Sequence, residues 1–246
     1  MIETSPHRIA RARGFACGVS LACFVFSLIP PSASASKVAS RTVRCNDATY
    51  HYKLFSPDKI APLPAILLLH GAGDIPENMI SAWEHFAAKN RIALIAPELS
   101  RDPKFEPVAP AVFRCVAEDA KTQTMLDPRR LYVFGNSMGG YLAYDAAMFD
   151  SSYFAAVAVS GMVISAQYDW IVTRAQRKTP IAIYIGDRDQ FSSLASARKT
   201  RDLLIGSGFP VHYVELKNHD HDYYAASHRI NSDAWQFFQA HPLPNP

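Results

Sequence analysis

Apolar residues along this chain fall into short runs separated by longer amphipathic stretches. Residues 65–69, 92–96, 131–134, 154–159, 181–185 and 211–216 are runs rich in Ile, Leu, Val and Ala. Few polar residues interrupt them, which is how a parallel strand buried on both faces reads. Between them, residues 79–89, 111–125, 138–148, 166–177, 194–205 and 224–240 carry apolar side chains at helical spacing. Residues 38–45 and 49–55 predict two further strands, joined as a hairpin across Asn46 and Asp47. This alternation predicts an α/β fold: a mostly parallel eight-stranded sheet with helices on both faces.

No linker, repeat or low-complexity tract breaks the pattern after residue 40, so residues 36–246 read as a single domain. The proline-rich, polar residues 98–110 predict a surface loop. No insertion is large enough for a separate cap domain, and the site is therefore expected to be fairly open. With 49% hydrophobic and 19% charged residues among 246, the chain has the composition of a folded protein that builds its own core.

The first 35 residues stand apart. Arg8, Arg11 and Arg13 precede the apolar stretch GFACGVSLACFVFSLI, then Pro30-Pro31 and the small residues Ser32-Ala33-Ser34-Ala35. A basic start, a short apolar run and an A-x-A site make a secretory signal peptide, cleaved near Ala35. The competing reading, an uncleaved anchor, needs about 20 apolar residues to span a bilayer. Losing these residues removes three arginines and Glu3, so the formal charge drops from +3 to about +1. That balance gives no field for nucleic acid or anionic lipid. The expectation is a secreted or periplasmic protein without stable membrane association after cleavage. Cys45 and Cys115 remain; they pair in an oxidising compartment, or they are unrelated, with Cys115 facing a helix interior.

Candidate chemistry sits at the ends of the predicted strands. Gly135-Asn136-Ser137-Met138-Gly139 fits G-x-S-x-G between a strand and a helix, a turn so tight that only small residues fit two places either side of the serine. The bland reading is a glycine-rich turn that needs positive φ. Its company argues for a nucleophile, because a serine hydroxyl needs a base, an orienting carboxylate and oxyanion donors. His70-Gly71-Ala72-Gly73 follows a buried strand, where the Ala72 N–H can join that of Met138 as an oxyanion pair. IAIYIGDRD ends in Asp187 and Asp189, either able to orient a histidine. VHYVELKNHDHDYY offers His219 and His221. A metal site at residues 219–222 is the rival idea, but His-x-His without a distant third ligand is weak evidence for one. The order Ser137, Asp189, His221 matches serine hydrolases of α/β type and differs from chymotrypsin-like and subtilisin-like proteases.

From about Ala65 to its end the chain resembles the α/β-hydrolase superfamily. It is most similar to small secreted esterases related to polyhydroxybutyrate depolymerase and dienelactone hydrolase, with prolyl oligopeptidase-type domains further off. The stretches that carry the resemblance are LLLHGAGD, LDPRRLYVFGNSMGGYLA, IYIGDRD and LKNHDHDYY. It implies Ser137 as nucleophile with Met138 and Ala72 as oxyanion donors. Counting from Gly186 as relatives do selects Asp189 over Asp187, and counting from Leu216 selects His221 over His219. Lys-Asn-His-Asp-His departs from the relatives' Pro-Gly-x-Gly-His, so the histidine remains a choice between two. The implied activity is hydrolysis of a small-molecule or polymeric carboxylic ester, with no cofactor and no metal. A peptidase and a non-catalytic binding protein on the same scaffold are the alternatives. Tyr141, Met162, Tyr168 and Trp170 are candidates to line the pocket.

Overall fold

The computed structural model describes residues 1, 37–58, 60–99 and 110–245. The expected signal peptide, Met1 apart, and most of the expected 98–110 loop lie outside the described residues.

Eight strands form one sheet. They are β1 (Lys37–Cys45), β2 (Ala48–Ser56), β3 (Leu63–Leu69), β4 (Ala93–Pro97), β5 (Leu126–Asn136), β6 (Ala156–Ser160), β7 (Ile181–Gly186) and β8 (Val211–Leu216). The helices are α1 (Pro76–Asn90), α2 (Pro110–Gln123), α3 (Met138–Phe149), α4 (Leu194–Gly206) and α5 (Tyr223–Gln239). The spatial order is β1-β2-β4-β3-β5-β6-β7-β8. β1 and β2 form the antiparallel hairpin, β2 runs antiparallel to β4, and every later pairing is parallel. After β3 the chain steps to one side to make β4, then returns past β3 to make β5. The carboxyl ends of β3 and β5 therefore flank a topological switch point, where α/β sheets open a crevice.

Strand periodicity sorts the core onto two faces. In β5, Leu131 and Val133 point to the side covered by α2, α3 and α4, while Tyr132 and Phe134 point to the side covered by α1 and α5. β3 divides likewise, with Leu67 and Leu69 against Ile66 and Leu68. On the second face Trp83 is fully buried, with its ring 5.3 Å from that of Phe134. Each large apolar side chain removed from water in this way stabilises the sheet by roughly 1.5–3 kcal/mol.

Cys45 and Cys115 are joined in a disulfide, their Cα atoms 6.0 Å apart, which ties the end of β1 to α2. The reading of Cys115 as an unpaired, inward-facing residue is overturned. Several boundaries also differ. Residues 166–177 do not form an α-helix: a 3-10 segment runs over Ala166–Thr173, with only Ile171 and Val172 of it buried, too narrow an apolar face to hold an α-helix against the core. α2 stops at Gln123 because β5 starts earlier than predicted, at Leu126, which pairs with Leu63. Asp127 holds that early start by accepting from the Arg129 N–H at 2.9 Å and Arg130 Nε at 2.6 Å. Arg129 in turn accepts the Leu243 N–H at its carbonyl and donates from its side-chain Nε to the Leu243 carbonyl, so the DPRR stretch anchors the chain after α5.

Candidate active site

β5 ends at Asn136 and α3 begins at Met138, leaving one residue, Ser137, for the turn. Ser137 has φ 52° and ψ −121°, a strained conformation for a residue with a side chain. Its backbone is fixed from both sides: its N–H donates to the Ser160 carbonyl at 2.9 Å, and its carbonyl accepts from the N–H groups of Gly140 and Tyr141 at 2.8 and 3.2 Å. A Cβ on Gly135 would lie 2.1 Å from the Gly139 carbonyl oxygen, and one on Gly139 would lie 2.0 Å from that of Leu69. Both are closer than atoms approach, which is why the motif is glycine at both ends.

The hydroxyl of Ser137 lies 2.9 Å from Nε2 of His221. On the other side of that ring, Nδ1 lies 2.8 Å from Oδ2 of Asp189. With the proton on Nδ1 donated to Asp189, Nε2 accepts from the serine. Asp189 is 1% exposed in its side chain and cannot swing away, because Oδ1 accepts from the N–H groups of Phe191 and Ser192, each at 2.8 Å. The Phe191 ring lies 4.7 Å from the His221 ring and covers it.

Asp187 and His219 meet each other instead. Asp187 Oδ1 accepts the His219 N–H at 3.1 Å, and the Arg188 N–H donates to the His219 carbonyl at 2.9 Å. The backbone N–H groups of Asn218 and then His219 hold the Asp187 carboxyl below its ordinary range. This pair fastens the β8–α5 loop to the end of β7. The crossing needs Gly186, where a Cβ would lie 2.2 Å from the His219 carbonyl. Gly161, with φ 66°, gives the His221 ring its space: a Cβ there would stand 3.0 Å from Cε1. Gly186 served in the sequence only as the point from which Asp189 is counted, and Gly161 was not singled out, although it directly follows an apolar run.

The loop after β3 approaches from the opposite side, and a Cβ on Gly71 would lie 3.5 Å from that of Ser137. The buried His70 supports it: the Leu99 N–H donates to Nε2 at 3.1 Å, so Nδ1 carries the proton and donates to the Gly71 carbonyl at 2.8 Å. Among the described residues the N–H groups of Ala72 and Met138 have no acceptor. Further along, Asp74 accepts the hydroxyl of Tyr224, which joins this loop to the first turn of α5, directly beyond His221. Burial first and the Asp74 carboxylate second push the Tyr224 phenol well up.

A cavity of about 560 Å³ opens beside Ser137 and His221, lined among others by Met138, Tyr141, Tyr144, Met162, Ile164 and Tyr168. Of the four proposed pocket residues, Trp170 is outside it; its ring packs on Phe149 at 6.4 Å. Between Tyr141, whose ring meets Tyr168 at 5.9 Å, and Phe149, Asp145 lies on the same face of α3. It is 7% exposed and makes no hydrogen bond among the described residues, and burial raises its carboxyl to about 6. Among the described residues no three of His, Cys, Asp and Glu converge as metal ligands would, and no helix is long and apolar enough to cross a membrane.

A model of the alpha/beta hydrolase family matches residues 66–245. No curated protein sequence matches the chain. Among solved structures it is similar to a thermostable esterase (17% identity, TM-score 0.67, 85% of this chain and 64% of that one). It is similar also to a Bacteroides ovatus protein assigned as a dipeptidyl aminopeptidase IV (13%, 0.68, 84% and 36%). A third is an S-formylglutathione hydrolase from Staphylococcus aureus (17%, 0.70, 83% and 100%). The chain thus spans less than two thirds of the first two, and at these identities the likeness is one of fold.

Proposed function

This chain belongs to the alpha/beta hydrolase family, and from that premise we propose that it hydrolyses carboxylic esters through Ser137, His221 and Asp189. The observation that carries the reading is the continuous hydrogen-bonded chain from Asp189 Oδ2 through the His221 ring to Ser137 Oγ, at 2.8 and 2.9 Å. His221 Nε2 removes the hydroxyl proton as Oγ attacks the ester carbonyl. The oxygen of the tetrahedral intermediate takes its negative charge toward the Ala72 and Met138 N–H groups, one on the β3 loop and the other at the positive end of α3. When the carbonyl re-forms, the bond to the alcohol oxygen breaks and that oxygen takes the proton from Nε2. Water then repeats the sequence on the acyl-enzyme, releasing the acid and restoring the serine. Asp189 keeps the ring in the required tautomer and stabilises it while it is charged. No step needs a cofactor.

Two features support an exported enzyme: the basic, apolar and small-residue order of residues 1–35, and the Cys45–Cys115 disulfide, a bond that persists in oxidising compartments. A net charge near +1 without the leader gives no field that would draw nucleic acid or an anionic membrane surface.

The test is hydrolysis of p-nitrophenyl acetate and butyrate, with fluorophosphonate labelling alongside. Ser137→Ala and His221→Ala are expected to lose about 1,000-fold or more in kcat, and His219→Ala less than about ten-fold. Equal losses in the two histidine variants would sink the assignment of the base. A wild-type protein that neither labels nor hydrolyses would sink the enzyme.

A further inference from the structure

The cavity beside Ser137 is closed at one end and open at the other. Tyr144, Ile164 and Ile171 form buried lining, whereas Tyr168 and Phe191 are 38% and 75% exposed. Among the described residues no Lys, Arg, Asp or Glu lines it. Two of its hydroxyls are already engaged: Tyr144 donates to the Met162 carbonyl at 3.4 Å and Ser192 to that of Gly161 at 3.1 Å. One turn beyond Tyr141 on α3 stands the buried Asp145. An anionic group entering this space would lose its hydration and meet no cation, with a carboxyl close behind the wall. An apolar group loses only contact with water, which favours entry.

Deepening the serine-hydrolase reading above, on which it rests, we propose that this cavity receives the acyl part of the ester and selects an uncharged, apolar acyl chain of about eight carbons. The size follows from the volume. Bulk water takes about 30 Å³ per molecule, so the cavity's 560 Å³ is room for roughly 19. Pockets of this volume take drug-sized groups, so a chain of about eight carbons fits the closed part with the mouth left to solvent. The acyl assignment follows from the two-step chemistry. The alcohol must depart before water enters, and a closed cavity would hold it back. The acyl group stays on Ser137 through both steps and gains from a fixed seat.

The experiment compares p-nitrophenyl esters from acetate to hexadecanoate on the full-length mature protein, with active sites counted by fluorophosphonate titration. Complete burial of a methylene is worth a factor of about four, and half-burial about two, so kcat/KM should rise roughly 60-fold from acetate to octanoate and stop rising beyond it. Ile164→Trp fills the closed end and should lower the octanoate-to-acetate ratio at least about ten-fold. The ratio is taken within one protein, so a lower folded fraction does not affect it. A mono-ester of adipate, with its free carboxylate, should react at least about ten-fold more slowly than the hexanoate ester. Ethyl and octyl acetate, which vary only the alcohol, should differ less than about three-fold.

A labelled, active enzyme that prefers acetate, accepts the adipate ester as readily as the neutral one, or responds to alcohol length while ignoring acyl length overturns the proposal and leaves the serine-hydrolase reading standing. An enzyme that does not label and hydrolyses none of the series overturns both.

Discussion

Replacing Asp145 with asparagine should stabilise the protein, and only above a defined pH. The side chain is 7% exposed, has no hydrogen-bond partner among the described residues, and sits between two aromatic contacts on α3. Burial lifts its carboxyl from the ordinary value near 3.8 to about 6. A raised carboxyl means that the folded protein holds the proton more tightly than the unfolded chain. Stability is therefore fully present below about pH 4 and is lost as pH rises through about 6. Two pK units correspond to about 3 kcal/mol; the carboxyl lies near the surface, so about 2 kcal/mol is the expected loss. Asn keeps the shape without the charge. The assay is urea unfolding of wild type and Asp145→Asn at half-unit steps from pH 4 to 8. The difference between the two curves isolates this group from carboxyls such as Asp127, whose lowered pKa changes stability in the opposite sense. It should be near zero at pH 4 and reach about 2 kcal/mol above pH 7, a midpoint shift of about 1 M urea. A difference that stays flat with pH, or an asparagine variant weaker at pH 7, would refute the reasoning.

Tyr224→Phe removes the hydroxyl that ties the Asp74 end of the β3 loop to the His221 loop, so kcat on a p-nitrophenyl ester should fall by about three- to ten-fold with KM unchanged. Unaltered kcat would show that the link does not position the site. Breaking the Cys45–Cys115 bond by double alanine substitution frees a 70-residue loop in the unfolded chain and should lower stability by up to about 4 kcal/mol, read as a fall in the urea midpoint. The same variants with no shift in midpoint would place the disulfide outside the cooperative unit.

What was legible in the sequence was what is decided locally. β3, β6 and β7 read directly because strands covered on both faces leave no room for polar residues. The serine turn read directly because its constraint acts across two residues on each side. The order of strands did not: nothing in residues 93–97 says that this strand lies between β2 and β3. Counting as relatives do selected His221 over His219. The contact that holds His219 away from Ser137, where the β8–α5 loop crosses Gly186, joins segments more than 30 residues apart and left no local sign. The 3-10 segment misled because its two aromatic residues mimic a helical stripe while both face outward. Tyr168 and Trp170 are both exposed. Asp145 was overlooked, yet it had a signal, a lone charge inside the apolar YLAYDAAMF.

β8 is an edge strand whose one neighbour is β7, and the loop it releases carries His221. During synthesis Ser137 emerges well before β8 and the loop that carries His221. A nascent chain ending before residue 211 has Ser137 and the β3 loop but lacks His221, the imidazole that reaches Ser137 in the folded protein. On the proposed mechanism the hydroxyl stays unactivated until β8 docks, so activity follows completion of the sheet's edge and cannot precede it.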